Sequence, residues 1–167
     1  DAAVVGDAID IVGDAEALMR QMRQVFYHLR PPPLAEMPLP TALEVLCASF
    51  GQHSGLRVDL SCPPDLPPIP ALQAMVAYRL VQEGLHNAAR HARATSLWIN
   101  LDYTEGELTV SLEDDGQGFD PARATNGMGL QGIRDRFLLL GGTFEIESAP
   151  GRGTRLFGSV PVAPAMR

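Results

Sequence analysis

The chain has 167 residues, of which 46% are hydrophobic and 20% charged, and these proportions predict one globular domain with an appended element. The formal net charge of −7 at pH 7 and the lack of a basic run argue against nucleic acid as a partner. All thirteen basic residues are arginine, which excludes lysine chemistry such as a Schiff base or a lysine phosphate clamp.

A heptad pattern near the start of the chain predicts a helix over residues 5–29. Its apolar positions alternate in steps of three and four: Val5, Ala8, Val12, Ala15, Met19, Met22, Phe26 and Leu29. Such a seam is typical of a helix in a bundle, and a helix folded back on its own domain is the alternative. Pro31 ends the pattern, because prolines donate no hydrogen bond. We interpret the run to Pro40 as a semi-rigid linker between segments 1–33 and 34–167.

After the linker, the pattern predicts a helix and then a strand. Thr41 with Glu44 has the form of a capping box, which begins a helix that ends near Gly55. Residues 56–62 alternate between apolar and polar, as in a strand. The two cysteines of the chain lack the spacing of a metal site, so we expect reduced, structural thiols.

The middle of the chain predicts an amphipathic helix at about residues 71–92. Its slim apolar stripe, suited to lie close against a sheet, comprises Ala74, Ala77, Val81, Leu85, Ala88 and Ala92. Its polar row, spaced four residues apart, comprises Arg79, Glu83, Asn87 and His91. A carboxylate, a carboxamide and an imidazole in line suit a divalent metal with phosphates, since Mg²⁺ takes few protein ligands. A helix with a merely solvated face would show the same pattern.

The second half of the chain predicts two hairpins and a helix. Residues 96–104 and 107–113 alternate around a two-residue turn, and residues 143–148 and 154–162 flank a glycine-rich turn. A helix is predicted at residues 130–140, where two glycines stop it. Because helices come first and antiparallel hairpins follow, the pattern favours a two-layer α/β sandwich over a parallel doubly wound sheet.

Two glycine clusters lie at the ends of predicted elements, one after a strand and one at the start of a helix. Asp114, Gly116 and Gly118 are spaced Asp-x-Gly-x-Gly after a strand, where glycine lets a ligand approach the backbone closely. An ionised Asp only accepts hydrogen bonds, so it would select an exocyclic amine such as adenine N6, although an acidic turn is the alternative. The second cluster, Gly127-Met128-Gly129-Leu130, opens a helix whose free N–H groups suit phosphate.

The segment between the clusters, residues 120–126, is short and polar and predicts a lid over a bound nucleotide. Arg134 and Arg136 lie in the first turns of the next helix and could reach phosphate, with a solvated helix face as the alternative for at least one. The chain has no Gly-x-x-x-x-Gly-Lys and no nucleophile elbow, which argues against a P-loop NTPase and an α/β-hydrolase.

In this order and at these distances, the polar helix, Asp-x-Gly-x-Gly, Gly-x-Gly-Leu and the final Gly-Thr resemble the ATP-binding catalytic domain of sensor histidine kinases. The resemblance covers about residues 15–162, and residues 78–92 and 129–136 are closer still to the nitrate and sugar-phosphate sensors. It implies an α+β fold of the Bergerat class: a two-layer α/β sandwich with a mixed, mainly antiparallel sheet and helices on one face, preceded by a bundle-type helix.

The resemblance also implies a site for ATP and Mg²⁺. Glu83 would be the catalytic base or a ligand of the metal water, and Asn87 would hold Mg²⁺ against the phosphates. Asp114 would bind adenine. The remaining nucleotide-binding positions that it implies are Arg90 and His91 near the phosphates, Gly116, Gly118, Gly127, Gly129 and Leu130 around the pocket and lid, and Thr154 on the adenine side.

The partners implied are a phosphoacceptor histidine on a dimerisation helix, a response regulator and a second copy in the full-length protein, on the cytoplasmic side of a membrane-anchored sensor. None of the four histidines, His28, His53, His86 and His91, has the acceptor setting. We therefore expect segment 1–33 to be a partial dimerisation helix and the chain to be a piece that lacks its own acceptor. An ATPase or serine kinase of the anti-sigma type, or a non-enzymatic nucleotide-binding module, are the alternatives.

Overall fold

The computed structural model describes residues 31–121 and 128–162. Within these ranges, four helices cover one face of a five-stranded sheet. The helices are α1 (Pro32–Glu36), α2 (Leu39–Ser54), α3 (Ala71–Arg90) and α4 (Met128–Leu139). The strands are β1 (Arg57–Ser61), β2 (Ser96–Thr104), β3 (Glu107–Asp114), β4 (Thr143–Ser148) and β5 (Thr154–Pro161). The predicted two-layer α/β sandwich of the α+β class is confirmed.

The sheet has the strand order β1-β2-β3-β5-β4 and is mixed. β1 pairs with β2 in parallel, and every other neighbouring pair of these strands is antiparallel. The β2–β3 hairpin turns through Glu105 and Gly106, both with positive φ, which matches the twist of the flanking strands. β5 lies between β3 and β4, and this register sets Thr154 opposite Asp114.

Helix α3 is the centre of the core. All six residues of its predicted apolar stripe are buried against the sheet and the neighbouring helices, as expected. A Cβ at Gly84 would overlap the side chain of Leu112 on β3, so glycine lets the helix lie close to the sheet. This close packing brings the polar row of the helix near the ends of the strands.

The start of the described chain differs from the predicted linker. Residues Pro32–Glu36 form a helix, and Leu34 and Leu39 are buried in the core. Helix α2 begins at Leu39 instead of at the predicted capping box, and the Ala42 N–H donates to the Pro38 carbonyl at 3.0 Å. Proline is tolerated there because the first-turn N–H groups have no acceptor within the helix. The helix ends at Gly55, as predicted, with φ of 73°.

The predicted heptad helix at residues 5–29 lies outside the described residues, so it and the boundary between segments 1–33 and 34–167 stay predictions. Cys47 and Cys62 are both free thiols. Burial raises the pKa of Cys47 to about 11, so it stays protonated at neutral pH. Within the described ranges, no helix has the length and hydropathy needed to cross a lipid bilayer.

Candidate functional site

A cavity of about 950 Å³ opens between α3, α4 and the adjoining ends of β3, β4 and β5. Its floor consists of inward-facing apolar residues of the sheet: Leu97, Leu112, Phe144, Ile146 and Leu156. Its polar wall comes from α3, from the loop after β3 and from α4. A large cavity with an apolar floor and a few convergent polar groups is typical of a small-molecule site.

Three of the four residues in the predicted polar row face this cavity: Glu83, Asn87 and His91. The Asn87 Nδ2 donates to the Glu83 Oε1 at 3.3 Å, so the carboxamide oxygen of Asn87 is left for another partner. Arg79 is instead held within the helix, where its Nη1 donates to the Gln82 Oε1 at 2.8 Å. The helical spacing therefore brings a carboxylate, a carboxamide and an imidazole together at one wall.

The side-chain oxygens of this wall suit Mg²⁺, which needs few protein ligands, better than a metal ion that is bound by protein side chains alone. Among the residues that the structure describes, no three His, Cys, Asp or Glu side chains cluster as a metal site. Glu83 and Asn87 supply oxygen atoms, and Mg²⁺ usually takes one or two such ligands with the rest from water and phosphate. A magnesium ion that arrives with a nucleotide would suit this arrangement.

The N-terminus of α4 lies directly against Glu83. A Cβ at Gly129 would overlap the carboxylate of Glu83, so glycine allows this approach without a shift of that side chain. The free N–H groups and partial positive charge of a helix start favour a nearby carboxylate. Leu130, in the same turn, lines the cavity as expected. Gly127 lies outside the described residues, so its predicted role stays untested.

Asp114 ends β3 and is 9% exposed at the cavity wall. Its Oδ1 accepts a hydrogen bond from the Gly116 N–H at 2.8 Å. Burial is the largest influence on its pKa, which it raises above the ordinary 3.8, and backbone N–H groups of Gly116 and Thr154 partly oppose this shift. The site therefore holds a carboxylate whose ionised form is disfavoured by burial and stabilised by two backbone N–H groups.

The next residue, Asp115, has a different role that the motif did not reveal. It is exposed, and its Oδ1 accepts from the backbone N–H groups of Thr95 and Ser96 at 2.7 and 2.9 Å. The Thr95 hydroxyl donates to its Oδ2 at 2.5 Å. These hydrogen bonds, led by that of the Thr95 side chain, lower the pKa of Asp115 to about 2. Asp115 thus anchors the start of β2 to the loop after β3.

The glycines of the first cluster bring their loop against two other segments. A Cβ at Gly116 would overlap Ala92 just beyond α3, and one at Gly118, whose φ is 60°, would overlap the Ala149 carbonyl. Gly118 lines the cavity, whereas Gly116 packs behind it, against the end of α3. The predicted shaping role thus has a contact to support it at both positions.

Gln117, which the sequence analysis did not single out, ties these segments together. Its backbone N–H donates to the Ala92 carbonyl at 2.7 Å, and its Nε2 donates to the His91 carbonyl at 2.8 Å. Its carbonyl accepts from the Gly151 N–H at 2.6 Å. No sequence signal marks this residue, because glutamine is common on exposed loops.

Thr154 lines the cavity beside Asp114, as expected. Its hydroxyl lies 3.0 Å from that of Ser148, which also donates to the Gly153 carbonyl at 2.9 Å and accepts from the Phe119 N–H at 2.9 Å. Phe119 begins the approach to the predicted lid and lines the cavity with Pro121. Residues 122–126 of the predicted lid lie outside the described residues.

The arginines predicted near phosphate separate into two groups. Arg90 is exposed at the end of α3 and, within the described part of the chain, does not line the cavity. Arg136 folds onto its own helix, where its Nη1 donates to the Gly132 carbonyl at 2.9 Å. Arg134 lines the cavity. His91, which belongs to the polar row of the helix, lines the cavity, whereas its neighbour Arg90, which does not belong to that row, lies outside it.

The family model described as histidine kinase-, DNA gyrase B- and HSP90-like ATPase matches residues 73–164. This match covers more than half of the 167 residues, and the chain belongs to that family. Membership of an ATPase family implies that the chain binds ATP, and it confirms the predicted class.

Two curated relatives are named as signal transduction histidine-protein kinases/phosphatases. The chain is 28% identical over 163 residues to the signal transduction histidine-protein kinase/phosphatase DegS of Brevibacillus brevis, which covers 95% of this chain and 42% of DegS. It is 32% identical over 141 residues to the histidine-protein kinase/phosphatase UhpB of Salmonella typhimurium, covering 84% of this chain and 28% of UhpB. The chain therefore spans less than half the length of these relatives.

A solved structure supports the fold. The histidine kinase domain of a blue-light activated histidine kinase from Erythrobacter litoralis matches with a TM-score of 0.65 and 23% identity, covering 76% of this chain and 62% of that one. At this identity the likeness shows the fold alone. The predicted resemblance to sensor histidine kinases is confirmed, and the nitrate and sugar-phosphate subfamily stays a prediction.

Proposed function

We propose that this chain is the ATP-binding catalytic domain of a two-component sensor histidine kinase, which transfers the γ-phosphoryl group of Mg-ATP to a histidine. The observation that carries the proposal is the cavity that joins Asp114, at the end of β3, to the Glu83–Asn87 pair beside the start of α4. The names of the relatives support a kinase over the anti-sigma-type and non-enzymatic alternatives.

Asp114 would select adenine. In its ionised form it accepts hydrogen bonds only, so it pairs with an exocyclic amine and leaves the O6 of guanine without a donor. Asp114 is buried, so a hydrogen bond that the adenine amine donates to it would be shielded from water. Such a charge-assisted hydrogen bond contributes about 1.5–3 kcal/mol net to binding. Thr154 would complete the adenine side through its hydroxyl.

Asn87 and Glu83 would hold Mg²⁺ at the phosphate side through their side-chain oxygens. A magnesium ion held there would supply the charge neutralisation that phosphoryl transfer mainly requires. Glu83 would accept a proton from the attacking group or orient a water molecule. His91 would contribute at the same wall, and Gly129 would keep the start of α4 close enough to present its N–H groups to a phosphate.

The acceptor histidine would come from another segment. Among the described histidines, His53 is bonded to the Ser49 carbonyl at 2.6 Å on α2, and His86 packs against the Phe50 ring at 5.4 Å. His91 belongs to the cavity wall itself. The acceptor would be presented in a homodimer by a dimerisation helix other than residues 1–33, which we propose to be a partial dimerisation helix without the acceptor histidine. A response-regulator aspartate would then take the phosphoryl group on the cytoplasmic side of the membrane.

Titration calorimetry with a non-hydrolysable ATP analogue and Mg²⁺ tests the nucleotide part of this proposal. Wild type is expected to bind the ATP analogue and to discriminate against the GTP analogue. Asp114→Asn should weaken ATP-analogue binding by about 10-fold to 150-fold, the equivalent of one charge-assisted hydrogen bond. Circular dichroism of both proteins is the control for folding. A folded wild type that binds neither analogue would contradict the proposal.

The acceptor chemistry needs the full-length protein. Incubation with ATP labelled at the γ-phosphate should give a label that acid removes and alkali leaves, as expected for a phosphorus–nitrogen bond. A label stable to acid would favour a serine kinase. Glu83→Gln in the full-length protein should remove most of the label while nucleotide binding persists.

A further inference from the structure

Helix α4 carries two arginines that occupy different environments. Arg134 lines the cavity at its rim, with an exposed side chain. Arg136 is directed back along its own helix to the Gly132 carbonyl. Two residues correspond to about 200° around a helix, so the two side chains leave α4 on nearly opposite sides. The structure thereby separates two residues that the sequence left equivalent.

The charges around the cavity make Arg134 unusual. Four carboxylates line the cavity: Glu83, Asp114, Glu145 and Glu147. Within the described residues, Arg134 is the arginine that lines it, and the chain contains no lysine. A phosphate chain is strongly anionic, and an acidic wall repels it unless cations intervene. One protein cation at this position would therefore have a large influence on which ligands bind.

Arg134 also lies at the correct end of the cavity. A Cβ at Gly129 would overlap the Glu83 carboxylate, and Arg134 follows Gly129 by five residues, about 7.5 Å along the helix axis. Leu130 and Gln131 line the cavity between these two points, so one face of the first turns of α4 forms a continuous wall. Asp114 lies on β3, in the opposite layer of the fold.

The guanidinium of Arg134 has capacity for a ligand. It forms no hydrogen bond or ion pair within the described part of the chain, in contrast to Arg136. A guanidinium offers a planar fork of N–H donors that matches the oxygens of a phosphate. An exposed, uncommitted arginine beside a cavity of this kind costs little to reorient when a ligand arrives.

We propose that Arg134 binds the phosphate chain of the nucleotide, and that it is the protein cation which offsets the acidic lining. The inference rests on the proposed function of the cavity and deepens it. Arg134 would contribute to the binding of the phosphate groups and not to the binding of the adenosine part of the nucleotide. Arg134 donates N–H groups to phosphate oxygens, and Arg136 takes no part.

The test compares ligands that differ only in phosphate. Titration calorimetry of the whole chain would measure adenosine, ADP with Mg²⁺ and a non-hydrolysable ATP analogue with Mg²⁺. Arg134→Gln is expected to weaken binding of both phosphorylated ligands by about tenfold or more, since a charge-assisted bond is lost. Adenosine affinity should stay within about twofold, because no phosphate is present. Arg134→Lys keeps the charge and should retain part of the affinity.

Arg136→Gln is the matched control, since it removes the same charge from the same helix. It should change the affinity for ADP and the ATP analogue by less than about twofold. Raising the salt concentration should weaken ADP binding more in wild type than in Arg134→Gln, because screening acts on the charge that the variant lacks.

Two results would overturn the assignment of Arg134. One is an equal loss of ADP affinity in Arg134→Gln and Arg136→Gln, which would indicate a general effect of net charge. The other is a parallel loss for adenosine, which would indicate that Arg134 supports the shape of the cavity. A folded wild type that binds none of the three ligands would overturn the proposed function as well, so the two failures are distinguishable.

Discussion

Asp114 and Asp115 are neighbours in the chain and occupy opposite environments. Asp114 is buried at the cavity wall, where burial raises its pKa. Asp115 is exposed at the start of β2, where hydrogen bonds from Thr95 and Ser96 lower its pKa to about 2. Burial outweighs the two backbone N–H groups that face Asp114, whereas three donors from Thr95 and Ser96 offset the charge of Asp115.

This comparison teaches how the fold divides stability from function. At Asp114 burial disfavours the charged form, so a ligand that donates a hydrogen bond there would stabilise that form. At Asp115 the charged form is already satisfied by the protein, so it stabilises the loop and has little left to offer a ligand. Gly116 and Gly118 let the loop after β3 pack closely against Ala92 and Ala149, and this packing fixes the positions of both aspartates.

Gly118→Ala is expected to have the largest effect on the stability of the loop that carries Asp114 and Asp115. Gly118 has a φ of 60°, and a Cβ there would overlap the Ala149 carbonyl, so the loop must move. We expect a loss of about 1–3 kcal/mol in the free energy of unfolding, measured by urea denaturation. Displacement of the loop should also bring the pKa values of the two aspartates closer to their ordinary values.

Gly151→Ala is the matched control for that variant. Gly151 has a φ of 79°, but nothing lies within 4 Å of a Cβ built there, so only backbone strain is added. It should destabilise the protein by less than Gly118→Ala. Equal losses in the two variants would mean that the contact with Ala149 is unimportant.

The next effect is a pair of opposite stability changes at pH 7, seen in Asp114→Asn and Asp115→Asn. A carboxyl whose pKa is raised on folding reduces stability as the pH rises above its ordinary value of 3.8, so replacing Asp114 should raise the melting temperature. A carboxyl whose pKa is lowered adds stability above 3.8, so replacing Asp115 should reduce the melting temperature.

The acid range provides the control for this pair. The stabilisation due to Asp115 should be complete above about pH 5 and should disappear as the pH falls from 3.8 to about 2. Urea denaturation of wild type and Asp115→Asn across this range should show the two curves converging. A difference that persists below pH 2, or the same sign of change in both variants at pH 7, would contradict the contrast between the two sites.

The smallest effect is expected from Gln117→Ala, which loosens the connection between the loop and the end of α3. Its side chain donates one hydrogen bond, to the His91 carbonyl, so we expect a loss of about 0.5–1.5 kcal/mol in the free energy of unfolding. Gln131→Ala is the comparison, because the side chain of Gln131 donates an exposed hydrogen bond within α4, to Asp135 Oδ1 at 3.0 Å. A loss in Gln117→Ala no larger than that in Gln131→Ala would show that the connection is weak.

Much of the candidate site could be predicted because its residues lie on regular elements. A spacing of four on a helix placed Glu83, Asn87 and His91 at one wall, and burial of the opposite stripe directed that row towards the cavity. Alternation along β3 sets Asp114 on the same face as Leu112, which indicates an inward side chain. Arg90 falls outside that row, and it does not line the cavity within the described residues.

Sequence by itself determined the elements of this protein and the faces they present, because helical and strand periods are local and every residue contributes to them. Tertiary structure decided what those faces meet. The insertion of β5 between β3 and β4 sets Thr154 beside Asp114, and the approach of Gly129 to Glu83 completes the wall at which we propose that the phosphates bind. These contacts join residues far apart in the chain, and burial and close packing, which no local pattern records, select them. The same packing chose Arg134 over Arg136 for the cavity.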